Sequence, residues 1–277
     1  TAGEFQLHNH RAGYKLRLSR EFLELIYKEE EEVEKNKVFD YSTLNNSVLG
    51  DSAELSICKC FNLREGLKDE RLVSNSESKV VDVFYNHYKN NQHELFPYQP
   101  TKYSGTGKRE RGGASKSGID FYLDHNLTLS LKTNKNRSKK VCPPEIGQPS
   151  PKTFDLQFKG SGLYEGNIDS TKFRQMVKDV NKLSFLLSKY VLYLNECDYI
   201  LWSVLLTESE EVRSKIISKE KLNNIKFYPQ NITYSNDFLS FDSVTIRYDG
   251  RSLGEFQIHS ARNSLKFRFN MDTLLNM

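Results

Sequence analysis

Two short runs of alternating residues constrain this chain more than any other feature. Gly118-Ile-Asp-Phe-Tyr-Leu-Asp124 and Leu127-Thr-Leu-Ser-Leu-Lys-Thr133 flank a His125-Asn126 pair. Period-two alternation is the pleat of a β-strand, and a two-residue polar break between two such runs predicts a hairpin. Within the second run Leu127, Leu129 and Leu131 share one face, directed into a core. Ser130 and Lys132 share the other. The hairpin therefore carries Asp120 early on one strand and Lys132 on the next. A β-unit at this place needs a body around it, and 277 residues with 12% aromatics supply enough chain for a core.

The flanking segments read as that body. Ser19 starts a capped helix that runs into the charged stretch Lys28–Lys35, and Asp51, after Gly50, starts another. A third spans Glu77–Tyr88, with Val80, Val81, Phe84 and Tyr88 on one side. Ser170 caps a long helix expected over 171–195. Tyr199–Thr207 reads as a buried strand, and weaker strand signals cover Ile225–Tyr228, Val244–Tyr248, Glu255–His259 and Leu265–Phe269. Helices, a central β-unit, a helix and more strands predict a mixed α/β or α+β domain. No Pro/Gly/Ser-rich linker divides the chain. The expectation is one domain over 1–277, with its core about 50–207 and a β-rich part about 208–277.

No apolar run approaches the roughly 20 residues that cross a bilayer. The N-terminal residues do not read as a signal peptide, and the four cysteines form no CxxC pair. These features predict a reduced, cytoplasmic protein with no membrane partner, no disulfides and no structural zinc.

The charge is focused. Residues 101–140 hold ten Lys/Arg against three Asp/Glu, a net +7, whereas the remainder holds 30 against 33, a net −3. A concentrated basic region favours a polyanionic partner. Its first part, Ser104–Gly118, is a Gly-rich loop with Lys108, Arg109, Arg111 and Lys116. Its second part follows the hairpin with Lys135, Arg137, Lys139 and Lys140 before a Pro-rich loop to Pro151. These cations, with Gln148 beside them, are the candidate contacts to such a polyanion.

One internal repeat is present. Residues 3–17 and 254–268 agree at eight of fifteen positions without a gap. Each copy reads as a hairpin with one buried face and one polar face. The polar face is either a nucleic-acid contact or the solvated side of an edge hairpin.

Asp120 with Ser130-Leu-Lys132 resembles the PD-(D/E)XK nuclease signature, in the S-X-K form found in a subgroup of type II restriction endonucleases. The resemblance covers about residues 50–150 and implies a restriction-endonuclease-like core, a central mixed sheet flanked by helices. It implies Mg²⁺ held near Asp120, Glu145 and Leu131. The missing acid of the triplet would come from Glu145, thirteen residues after Lys132, with Gln148 the alternative. It assigns Lys132 to orienting water and stabilising the transition state, keeps Ser130 beside it, and places Glu54 on an early helix near the site. It implies a homodimer acting on duplex DNA. The competing reading is a DNA- or RNA-binding protein with a degenerate nuclease core, supported by Ser130 standing where an acid is usual. A repair nuclease that nicks one strand is a third.

Overall fold

The structure is a computed structural model that describes residues 39–105, 118–136, 139–144, 146–194, 196–235 and 242–277, with the backbone of 4–6 and 15–17. Residues 1–40 and 41–277 form two separate compact units. In the first, β1 (Glu4–Gln6) pairs antiparallel with β2 (Lys15–Arg17). The helix expected from Ser19 lies outside the described residues.

The second unit is mixed α+β and contains two five-stranded sheets. The first has the order β3-β4-β5-β7-β8, built from Pro100–Tyr103, Phe121–Leu123, Thr128–Lys135, Tyr199–Leu206 and Glu211–Ser218. It is a mixed sheet: β5 runs antiparallel to β4 and parallel to β7, opposing Lys132 to Trp202. The expected hairpin is the β4–β5 unit. Its turn places His125 and Asn126 at φ of 60° and 60°. Asn accepts that left-handed conformation more readily than most residues.

Helices cover both faces of this sheet, the arrangement of a restriction-endonuclease-like core. On one side lie α1 (Asn46–Phe61), the short α2 (Arg64–Leu67) and α3 (Glu70–Asn75), then α4 (Ser78–Asn90) and α5 (Gln92–Leu95). The Ser56 hydroxyl donates to the Val81 carbonyl at 2.8 Å and ties α1 to α4. Tyr88 donates to Ser203 at 3.0 Å and ties α4 to β7. On the other side lie α6 (Pro151–Phe158), α7 (Ser170–Lys178) and α8 (Val180–Leu194).

The second sheet is antiparallel, ordered β6-β12-β11-β10-β9 from Lys140–Val141, Ser264–Asn270, Arg251–His259, Ser243–Tyr248 and Ile232–Tyr234. Its inner face is aromatic. Phe256, Phe267 and Phe269 are fully buried, and Tyr190 of α8 stacks on Phe267 with ring centroids 4.9 Å apart. Short helices α9 (Lys219–Asn223) and α10 (Met271–Leu275) complete the unit. Side chains join the sheets. Trp202 Nε1 donates to Asn134 Oδ1 at 2.8 Å, and Asn134 Nδ2 donates to the Lys140 carbonyl at 3.2 Å.

Four sequence expectations are corrected. The helix expected over 171–195 is broken at Asp179, whose carboxylate accepts from the Asn181 and Lys182 amides and so starts a new helix. Asp169, rather than Ser170, caps α7 by accepting from the Lys172 amide. Asp51 does not start a helix. The helix begins at Asn46 under an Asn45 cap, and Asp51 is buried inside it against Arg71 at 3.1 Å. Ile225–Tyr228 is not a strand. Its backbone groups are taken by side chains: Ser184 donates to the Phe227 carbonyl, and the Tyr228 amide donates to Tyr248 Oη. The strands β3 and β8 gave no clear periodic signal and were not anticipated.

Candidate active site

Asp120 directly precedes β4, and its backbone amide still donates to the Leu129 carbonyl of β5 at 3.0 Å. That ladder bond sets its carboxylate over the middle of β5. Asp120 Oδ2 accepts from the Leu131 amide at 2.6 Å and from the Ser130 hydroxyl at 3.1 Å. Lys132 Nζ donates to the same Ser130 oxygen at 2.7 Å. Ser130 is buried, at 3% exposure, so its hydroxyl bridges ammonium and carboxylate in a site largely removed from water. Low local dielectric strengthens such a chain and makes each member costly to lose.

Lys132 is therefore no solvent-face lysine. Strand β5 is internal to the sheet, with β4 on one side and β7 on the other, and Lys132 on it is half-buried. The face opposite Lys132 packs on α1, where Gly50 passes close to Thr133. Leu131 is buried there at 7% exposure, as its alternation predicted.

Helix α1 delivers a second carboxyl. Glu54 lies one turn beyond Asp51 and accepts from Tyr103 Oη at 2.9 Å. Burial, and then the negative charge of Asp120, push the Glu54 carboxyl up to about 8, while the Tyr103 hydrogen bond lowers it in part. The early-helix glutamate is thus an electrostatic neighbour of Asp120. Tyr103 and the Asp51–Arg71 pair also border the site and were missed in the sequence. Tyr103 sits on β3, 17 residues before Asp120, and only strand pairing brings it close.

A third neighbour is Cys197. Its thiol donates to the Gly118 carbonyl at 3.2 Å, and Asp120 and Lys132 both act electrostatically on it. Gly118 lies close to Glu196: a Cβ there would lie 2.1 Å from Glu196 Oε2, so the carboxylate would have to swing away. All four cysteines are free thiols.

The remaining candidates divide. Glu145 lies outside the described residues, as do Lys108, Arg109, Arg111, Lys116 and Arg137. Gln148 is exposed, next to a buried Gly147 whose carbonyl accepts from the Phe267 amide at 2.7 Å. The lysines after the hairpin have intramolecular partners. Lys135 donates to the Ser42 carbonyl at 2.9 Å and to that of Leu44. Lys139 pairs with Asp272, and Lys140 pairs with Glu255 at 2.7 Å. These contacts offset charge that the sequence alone presents as free.

Among the described residues, no three His, Cys, Asp or Glu side chains converge as a metal cluster. Two carboxyls do adjoin, Asp120 and Glu54. Mg²⁺ commonly binds through one or two carboxylates and keeps several waters, so this oxygen set fits it. Among the described residues no helix is long and apolar enough to cross a membrane.

Comparison with known proteins gives one informative similarity. Over 159 residues the chain is 31% identical to Type II restriction enzyme CviAII of Paramecium bursaria Chlorella virus 1, covering 56% of this chain and 43% of that protein. The chain thus spans less than half the length of that relative. No family model and no solved structure matches.

Proposed function

We propose that this chain is a Mg²⁺-dependent endonuclease that hydrolyses phosphodiester bonds of double-stranded DNA at a specific sequence, as a type II restriction enzyme does. The observation that carries this reading is the Lys132–Ser130–Asp120 hydrogen-bond chain on an internal strand, with Glu54 adjoining Asp120. The similarity to a type II restriction enzyme supports it. Asp120 and Glu54 would hold Mg²⁺, with Glu145 the further acid and Leu131 offering its main chain. When bound, the metal lowers the pKa of its water and neutralises charge on the phosphate. The protein's own groups divide the rest of the work. Asp120 is held in place by two donors. Lys132 sets a positive charge where the transition state gathers negative charge. Ser130 fixes that ammonium relative to the carboxylate. Twofold symmetric DNA sites favour a homodimer.

Plasmid incubated with Mg²⁺ should give discrete fragments that EDTA abolishes. Nicked circles alone would select a one-strand nuclease. Binding without cleavage would select the degenerate DNA-binding reading, which Ser130 in the acid position favours. Glu145→Gln should damage cleavage far more than Ser130→Ala, because the amide loses the charge that attracts the metal while Asp120 keeps its Leu131 bond. Cleavage by Glu145→Gln at the wild-type rate would remove Glu145 from the site and favour Glu54 or Gln148.

A further inference from the structure

The outer face of the β11–β12 hairpin is built to hold polar groups in fixed register. Glu255 stands opposite Arg268, and Gln257 opposite Lys266. The alternate positions Phe256, Ile258, Leu265 and Phe267 are buried in the core, so these four polar residues share the other side of the sheet. Glu255 organises that side. It accepts from Arg268 Nη2 at 2.8 Å, from Lys140 Nζ at 2.7 Å, from Ser243 at 2.6 Å and from Gln257 Nε2 at 3.3 Å. Side chains already pinned lose less entropy when a ligand arrives.

The repeat shows what is kept in this hairpin. In the first unit β1 and β2 pair in the same register: Glu4 opposite Arg17 and Gln6 opposite Lys15. Both cross-strand polar pairs thus recur with the same residue types, as does the apolar Phe5/Phe256, whereas Leu7/Ile258, Tyr14/Leu265 and Leu16/Phe267 change to other apolar residues. Packing alone gives no reason to keep both polar pairs in register.

This face also adjoins the candidate active site. Strand β6, which leaves β5 within five residues, pairs with β12 through Asn270 and Phe269. Lys132, Lys266 and Arg268 all act on the same Cys142 thiol.

We infer that the polar face of the β11–β12 hairpin reads base edges of duplex DNA, with Gln257 and Lys266 as specificity-determining residues and Glu255 as the residue that positions Arg268. The inference rests on the endonuclease reading. Gln suits the adenine edge, and Lys or Arg suits guanine. A carboxylate that would repel phosphate belongs on such a face because it orients the cations rather than gripping the backbone.

The test uses the full chain carrying Asp120→Asn, so that binding is measured without cleavage. A random duplex pool is selected on it, and the enriched sequence is then compared with random duplex across a salt series. Gln257→Ala and Lys266→Ala should each lower the preference for the enriched sequence by about ten-fold to a hundred-fold. The steepness of the salt dependence should hardly move. Gln257→Glu, which keeps the size of the side chain, should change the selected sequence rather than abolish binding. Both half-exposed substitutions are checked by unchanged thermal unfolding. If the parent enriches a sequence and the variants retain that preference, the inference fails and the endonuclease reading stands. Enrichment of no sequence, with duplex still bound, overturns the inference together with the sequence specificity of the endonuclease reading. If the parent binds no duplex at all, the endonuclease reading fails with it.

Discussion

The two five-stranded sheets handle polar side chains in opposite ways. In the first, Ser130, Asn134 and Ser203 are buried at 3%, 8% and 0% exposure, and each has a hydrogen-bonded partner. In the second, the core face is almost wholly apolar, and Glu255, Gln257, Lys266 and Arg268 stay on the outer face. Connectivity explains the difference. β5 and β7 are internal strands of a sheet flanked by helices, so Ser130, Asn134 and Ser203 on them are buried and must be satisfied, while Lys132 and Thr133 are half-buried. The antiparallel sheet packs one face on α7 and α8, and its other face carries half-buried polar side chains, Arg268 at 26% and Glu255 at 12% exposure. The first design holds a few groups in water-poor surroundings, which suits bond chemistry. The second presents a broad polar surface, which suits recognition.

The largest effect that would break this contrast lies in the first sheet. Asp120→Asn or Lys132→Ala should cut Mg²⁺-dependent plasmid cleavage by at least about a hundred-fold. Duplex binding in Ca²⁺ should persist. Single-turnover cleavage measures this, and wild-type rates in either variant would remove the proposed site.

Next comes the core of the second sheet. Phe267→Ala deletes a ring packed between Tyr190, Phe256 and Phe269, with centroids at 4.9, 4.5 and 4.7 Å. The expected cost is about 3–5 kcal/mol, read as a lower urea midpoint at unchanged slope. Gly254 also serves this ring, since a Cβ there would lie 2.7 Å from it. A change of less than about 1 kcal/mol would mean that the aromatic face is not the source of that sheet's stability.

A smaller loss is expected at the tie between the sheets. Asn134→Ala leaves Trp202 Nε1 buried without its acceptor, at a cost of about 1–3 kcal/mol. Because Asn134 also holds the Lys140 carbonyl, cleavage should fall by more than global stability accounts for. Proportional losses would show that the two sheets are not coupled through this residue.

The smallest effect is acid sensitivity of the outer polar face. Burial alone would raise the Glu255 carboxyl, but hydrogen bonds from Lys140, Ser243 and Arg268, with the charge of Lys140, lower it to about 2. A depressed carboxylate contributes stability above its unfolded value near 4.5, and that contribution is lost as pH falls toward 2. Glu255→Gln should therefore flatten stability against pH between about 5 and 2. Identical acid profiles for variant and wild type would show that the cluster adds nothing to folding.

How much of this was legible depends on whether the signal was local. Alternation gave the β4–β5 hairpin, a continuous apolar run gave the buried strand expected over 199–207 and found over Tyr199–Leu206, and spacing gave α4. The Asp120–Ser130–Lys132 set was legible because one hairpin holds all three, and the hairpins of the repeat were visible for the same reason, though their register was not. Asp179 shows a local limit: a 25-residue apolar periodicity reads as one helix, although a single aspartate accepting two amides starts a second.

Residue types and their order along the chain determined the alternating strands, the polar and apolar faces of the repeat, and the carboxylate and ammonium of the candidate site. Only the tertiary structure decided that β5 is an internal strand, so that Lys132 is half-buried and bonded to Ser130 rather than fully solvated. It alone brought Tyr103 and Cys197 beside Glu54 and Asp120, and it gave Lys135, Lys139 and Lys140 partners that a count of charges leaves out. The physical reason is that burial and electrostatic neighbourhood come from contacts between residues far apart in the chain, and periodicity reports only on residues close together in it.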